Sequence, residues 1–128
     1  MQDFFQTRAH SFRNAFAGWW YVLRTQRNAW IHALVSLVVI GVSFWVGLSA
    51  FDWAIIITAI TLVWMAEFLN TALEAVVDLA SPGQHYLARI GKDVGAAAVL
   101  IAAVSSIIIG LLVLGPPLLD RLRVLVAR

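Results

Sequence analysis

Three long apolar stretches nearly free of charge limit this chain more than any other feature it has. The first covers 31–50 and the third 94–114, neither containing Lys, Arg, Asp or Glu. The second covers 53–78, uncharged through Ala66 and polar at intervals beyond it. A helix crossing the hydrocarbon core of a bilayer needs about 20 such residues, and each stretch supplies them. The 128 residues are 62% hydrophobic and 12% charged, against about 25% charged in ordinary soluble domains. Too few polar groups remain to cover a globule in water. The expectation is a single all-α integral membrane domain.

The connections define its layout. The first two spans are joined by a short link around Leu48 to Asp52, which makes them an antiparallel hairpin. The second link, 79–91, contains Ser81-Pro82-Gly83, a helix stop and turn. Pro116-Pro117 is expected to end the third span in the same way. Upstream, Phe5, Phe12, Phe16, Trp19, Trp20 and Leu23 fall largely on one helical face, punctuated by Arg8, Arg13, Arg24 and Arg27. Such a helix lies in the membrane interface. The segments are therefore an interfacial helix over 1–28, transmembrane helices over 31–50, 53–78 and 94–114, and a tail over 116–128.

Charge sets orientation and excludes other classes. Arg8, Arg13, Arg24, Arg27, Arg89 and Lys92 share one side of a three-span chain, and Arg121, Arg123 and Arg128 fall on the other. The larger group places the N-terminus in the cytoplasm. The net charge is only +2 and no basic stripe exists, so nucleic acid is not an expected partner. Without cysteine there are no disulfides or thiolate metal sites. Asp3, Arg8, His10 and Arg13 precede any apolar core, so no cleavable signal peptide is expected.

The chemistry sits on the second span. Glu67, Asn70, Glu74 and Asp78 are spaced i, i+3, i+7 and i+11, along one face of a helix. An acidic residue at the centre of a transmembrane helix costs about 2.5–3.5 kcal/mol, so such residues usually mark a functional site. Polar bonding between helices, or snorkelling at the span's end, is the alternative. Snorkelling suits Asp78 and Glu74 better than Glu67. Downstream, Gly91, Gly95 and Ala98 present a small surface that lets helices approach. Lys92 can neutralise the carboxylates or bind phosphate, and Asp93 can join it or cap the helix. Carboxylates beside a lysine suit a divalent metal and a polyphosphate, although no Gly-rich phosphate loop is present.

These residues resemble the prokaryotic diacylglycerol kinase and undecaprenol kinase family. The pattern E-x-x-N-[ST]-A-[LI]-E-x-x-x-D is carried by Glu67, Asn70, Thr71, Glu74 and Asp78, and K-D-x-[GA] by Lys92, Asp93 and Gly95. A looser N-terminal match runs from Ser11 through Gly18 to Arg27-Asn28, and the likeness extends nearly to Pro116. The segment from Asn28 to His32 is nearer to the undecaprenol kinase branch. The resemblance implies a homotrimer in the bacterial inner membrane, with active sites at the membrane interface shared between protomers. It implies ATP as co-substrate and Mg²⁺ as cofactor. By position, Glu67 is the general base on a lipid hydroxyl, with Asn70 beside it. Glu74 is a metal ligand near the ATP phosphates, while His85, Lys92 and Asp93 bind nucleotide. Two segments depart from the family. Its Glu-Tyr-His is Gly83-Gln84-His85 here, and its second metal-binding glutamate is Gln26, whose amide oxygen can still coordinate Mg²⁺ but brings no charge.

The expected function is ATP-dependent phosphorylation of a membrane lipid alcohol, diacylglycerol or undecaprenol. One rival is a catalytically silent lipid- or nucleotide-binding membrane module, a reading that Gln26 invites. The other is a proton or cation relay. Lys92 and Asp93, at the edge of the apolar run, argue against that relay.

Overall fold

The structure is a computed structural model, and it describes residues 2–83 and 85–127, with side chains from His10 onward. The side chains of Phe5 and Arg8, and residues Gln84 and Arg128, lie outside the described residues. Among the described residues four helices follow one another: α1 (Gln2–Thr25), α2 (Arg27–Val46), α3 (Ala50–Ala80) and α4 (Tyr86–Val126). The last three are long and apolar enough to cross a membrane. The protein is all-α, with three candidate spans behind an N-terminal helix.

Each junction has a local cause. Gln26 takes an extended conformation, φ −101° and ψ 115°, and breaks α1 from α2 at a single residue. Its side chain makes no capping bond, which leaves the amide free for a distant partner. Gly47 ends α2 in the left-handed region, φ 76°, and its N–H donates to the Ser43 carbonyl. Glycine takes that conformation without the Cβ clash other residues meet. Ser49 then caps α3. Its hydroxyl accepts from the Asp52 N–H at 3.2 Å and donates to the Asp52 carboxylate at 2.6 Å, a reciprocal cap with the negative charge at the helix's positive end. His85 caps α4 by accepting from the Leu87 N–H.

Helices α3 and α4 make the most extensive contact, and a hydrogen bond and a close contact, both at small residues, fix their register. Ser106 donates to the Ala59 carbonyl at 2.9 Å. Toward the N-terminal end of α4, Gly95 lies directly against Asn70, where a Cβ would fall on the amide oxygen. The uncharged run 94–114 of α4 therefore lies level with α3 from about Ala50 to about Asn70. Glu67 and Asn70 sit within its last turns, and Glu74 and Asp78 lie beyond it.

The proline pair does not end α4. The helix continues through Pro116 and Pro117 to Val126, so the expected tail over 116–128 is helical as far as it is described. Those prolines remove the N–H groups that would bond the Leu112 and Val113 carbonyls. Packing on both sides compensates. Val113, Leu114 and Leu118 contribute to the cluster around Val46 and Ile56, beneath the α2–α3 turn.

Candidate active site

The acidic face of α3 meets three other elements. Glu67 is 1% exposed and Asn70 9%. One turn on, Glu74 is held at both carboxylate oxygens. Asn70 Nδ2 donates to one at 3.1 Å and Gln26 Nε2 to the other at 3.3 Å. Asp78 pairs with Lys92 Nζ at 2.6 Å. Lys92 precedes the uncharged run, and the hydrogen bond it donates to Asp78 raises its pKa above the usual lysine value. Asp93 lies 3.7 Å from Arg89 Nε one turn back on α4, with both side chains largely exposed.

Sequence reasoning grouped these residues, and the structure divides them between two cavities. A cavity of about 580 Å³ is lined by Asp78, His85, Arg89, Lys92 and Asp93. A second, of about 260 Å³, is lined by Gln26, His32, Glu67, Asn70 and Glu74 together with small residues of α4. Glu74 on one wall and Asp78 on the other are successive turns of α3, so the two cavities share that helix as their boundary. His85 has Nδ1 committed to its capping bond, which leaves its other ring nitrogen for the larger cavity.

Two features escaped the sequence reading. His32 places Nε2 3.9 Å from Glu67 Oε2. Its signal was available, as the one ionisable side chain inside an otherwise uncharged span, yet no local pattern tied it to a residue 35 positions away. Trp19 stacks on Trp64 at 4.9 Å and approaches Phe68 at 5.5 Å. This arm, α1, is thus pinned to α3 on either side of Glu67, while Phe12, Phe16 and Trp20 point outward.

The donors suit Mg²⁺ in its usual protein mode, in which one or two carboxylates share the ion with phosphates and water. Glu74 supplies one carboxylate, and the Gln26 amide, turned over, presents an oxygen to the same point. Among the described residues no group of three or more His, Cys, Asp or Glu converges on a single point.

The family model for prokaryotic diacylglycerol kinase matches residues 13–114. A diacylglycerol kinase of Synechocystis is 46% identical over 111 residues, 86% of this chain and 63% of that protein. An undecaprenol kinase of Bacillus subtilis is 44% identical over 108 residues, 84% of this chain and 88% of that one. A diacylglycerol kinase of Escherichia coli is 34% identical over 95 residues, 69% of this chain and 78% of that one. The chain thus spans less than two thirds of the Synechocystis relative and most of the other two.

Proposed function

The chain belongs to the prokaryotic diacylglycerol kinase family, a family of lipid kinases, and on that premise we propose that it transfers a phosphoryl group from ATP to the hydroxyl of a membrane lipid. The observation that carries this reading is Glu67, a buried carboxylate whose Oε2 has no hydrogen-bond partner in the protein. It lies within the last turns of the apolar level. A lipid hydroxyl at the membrane edge reaches that depth while its chains stay in hydrocarbon.

Phosphoryl transfer asks the protein mainly for positioning and charge. Glu67 accepts the hydroxyl proton as the oxygen attacks. Asn70, bonded to Glu74, orients the next carboxylate along the helix. Glu74 with Gln26 would hold Mg²⁺, which supplies positive charge to the phosphates when bound. Lys92, set by Asp78, places an ammonium on the phosphates from the larger cavity, where His85 and Asp93 meet the rest of the nucleotide. Trp19, stacked on Trp64, closes the arm over the lipid side. The assembly we propose is a homotrimer in the bacterial inner membrane with the N-terminus cytoplasmic, supported by the sequence resemblance and the distribution of basic residues.

Gln26 favours a second reading. Because its neutral amide already satisfies Glu74, the chain fits a silent lipid- or nucleotide-binding module as well. Labelled ATP and Mg²⁺ in mixed micelles, with diacylglycerol and undecaprenol offered side by side, separate the two. Label in either lipid supports the kinase and names its substrate. Nucleotide binding without labelled lipid supports the silent module.

A further inference from the structure

Among the described residues, three buried side-chain polar atoms have no hydrogen-bond partner in the protein: His32 Nε2, Glu67 Oε2 and Asn70 Oδ1. All three residues line the smaller cavity. An unsatisfied buried polar atom costs about 1–3 kcal/mol, so three at one place point to a polar group that belongs there. The environment of Asn70 Oδ1 follows from packing, since it is pressed against the backbone of Gly95. The other two atoms face each other at 3.9 Å.

That separation is too long for a hydrogen bond and short enough for one oxygen to touch both atoms. An oxygen about 2.8 Å from each would subtend roughly 90°, which hydroxyl geometry accommodates. The imidazole is also held in place. Its ring meets Trp64 edge-on at 6.5 Å, and Trp64 is itself fixed by donating to Ser36 Oγ at 3.3 Å.

We propose that His32 and Glu67 bind a single substrate hydroxyl between them, with His32 Nε2–H donating to its oxygen and its own hydrogen donated to Glu67 Oε2. His32 is then a substrate-binding residue of the reaction. It aims the O–H bond at the base and leaves the oxygen's remaining lone pair free for attack. In the transfer, the hydroxyl proton goes to Glu67, the oxygen bonds the γ-phosphorus, and the bond to the β-phosphate oxygen breaks to release ADP. His32 keeps its proton throughout. The inference rests on the lipid kinase reading and deepens it.

Two measurements on the full-length protein in lipid micelles test it. In the first, His32→Leu lowers kcat/KM for the lipid alcohol by about 10- to 100-fold and leaves KM for ATP unchanged. His32→Gln, which keeps an N–H donor, recovers part of that loss. Wild-type kcat/KM in a folded His32→Leu protein overturns the assignment. The second needs no variant to fold. With ¹⁵N-labelled histidine, the His32 Nε2 resonance shifts on adding the lipid alcohol and stays in place with the analogue that has hydrogen instead of hydroxyl. A resonance that responds equally to both, or to neither, overturns the assignment with the kinase reading intact. Wild-type protein that phosphorylates no lipid alcohol removes the kinase reading itself, and this proposal with it.

Discussion

Gln26 Nε2 donates to Glu74 Oε2 at 3.3 Å, tying the one-residue break between α1 and α2 to the acidic face of α3 across 48 positions. Asn70 holds the other oxygen, so Glu74 is satisfied before any cation arrives. A glutamate at position 26 would bring two carboxylates together at this point.

Gln26→Glu therefore makes stability depend on a divalent cation. Two like charges about 4 Å apart repel by about 1 kcal/mol in water and about 4 kcal/mol near a protein surface. The variant should melt several degrees below wild type in EDTA and regain that loss in Mg²⁺. Wild type should shift little between the two. Equal Mg²⁺-dependent shifts in both proteins would contradict the Gln26–Glu74 account.

The two glycines of α4 should behave oppositely. At Gly95 a Cβ would fall on Asn70 Oδ1 and lie 3.2 Å from Leu73. Gly95→Ala should thus cost about 1–3 kcal/mol and disturb the Asn70–Glu74 bond. At Gly91 the nearest atom is a Val77 methyl at 3.8 Å, an ordinary contact. Gly91→Ala should be neutral or slightly stabilising, since alanine is the better helix former by about 1 kcal/mol. Thermal melts of both variants in one detergent decide this.

Lys92→Met should raise KM for ATP by about 10- to 100-fold, the effect of losing a charge-assisted hydrogen bond, with KM for the lipid unchanged. The pH dependence follows from the sign of the shift. Because Asp78 raises the Lys92 pKa above 10.5, Lys92 is fully protonated below that value and loses its charge only above it. Between about pH 6 and 9 no activity change arises from Lys92. An alkaline fall in that range that vanished in Lys92→Met would contradict the assignment.

Trp19→Ala should release the arm. The stacked pair with Trp64 contributes about 0.5–1.5 kcal/mol beyond its buried area. Limited proteolysis within α1 should speed up and KM for the lipid should rise, while KM for ATP stays constant. Unchanged proteolysis would mean that other contacts hold α1.

Much of this was legible in the linear sequence because it depends on local rules. Uncharged length marks a span, and the 3-, 4- and 4-residue steps from Glu67 to Asp78 set one face of a helix whatever surrounds it. Gln26 is different: only the tertiary approach of the α1–α2 break to α3 gives its amide a partner. The pairing of His32 with Glu67 and of Trp19 with Trp64 arises in the same way, between helices. At Pro116-Pro117 the local rule predicted a helix end, and packing of Leu114 and Leu118 on either side of the pair overrode it.

Glu67→Gln offers the most direct test of the central claim. The amide keeps the shape of the buried side chain and cannot take up a proton. With labelled ATP and the preferred lipid alcohol in mixed micelles, the account predicts at least a 100-fold loss of label transfer, about the lower bound for removing a positioned base. ATP affinity and melting temperature should stay close to wild type. Label transfer at the wild-type rate by a folded Glu67→Gln protein would contradict the account.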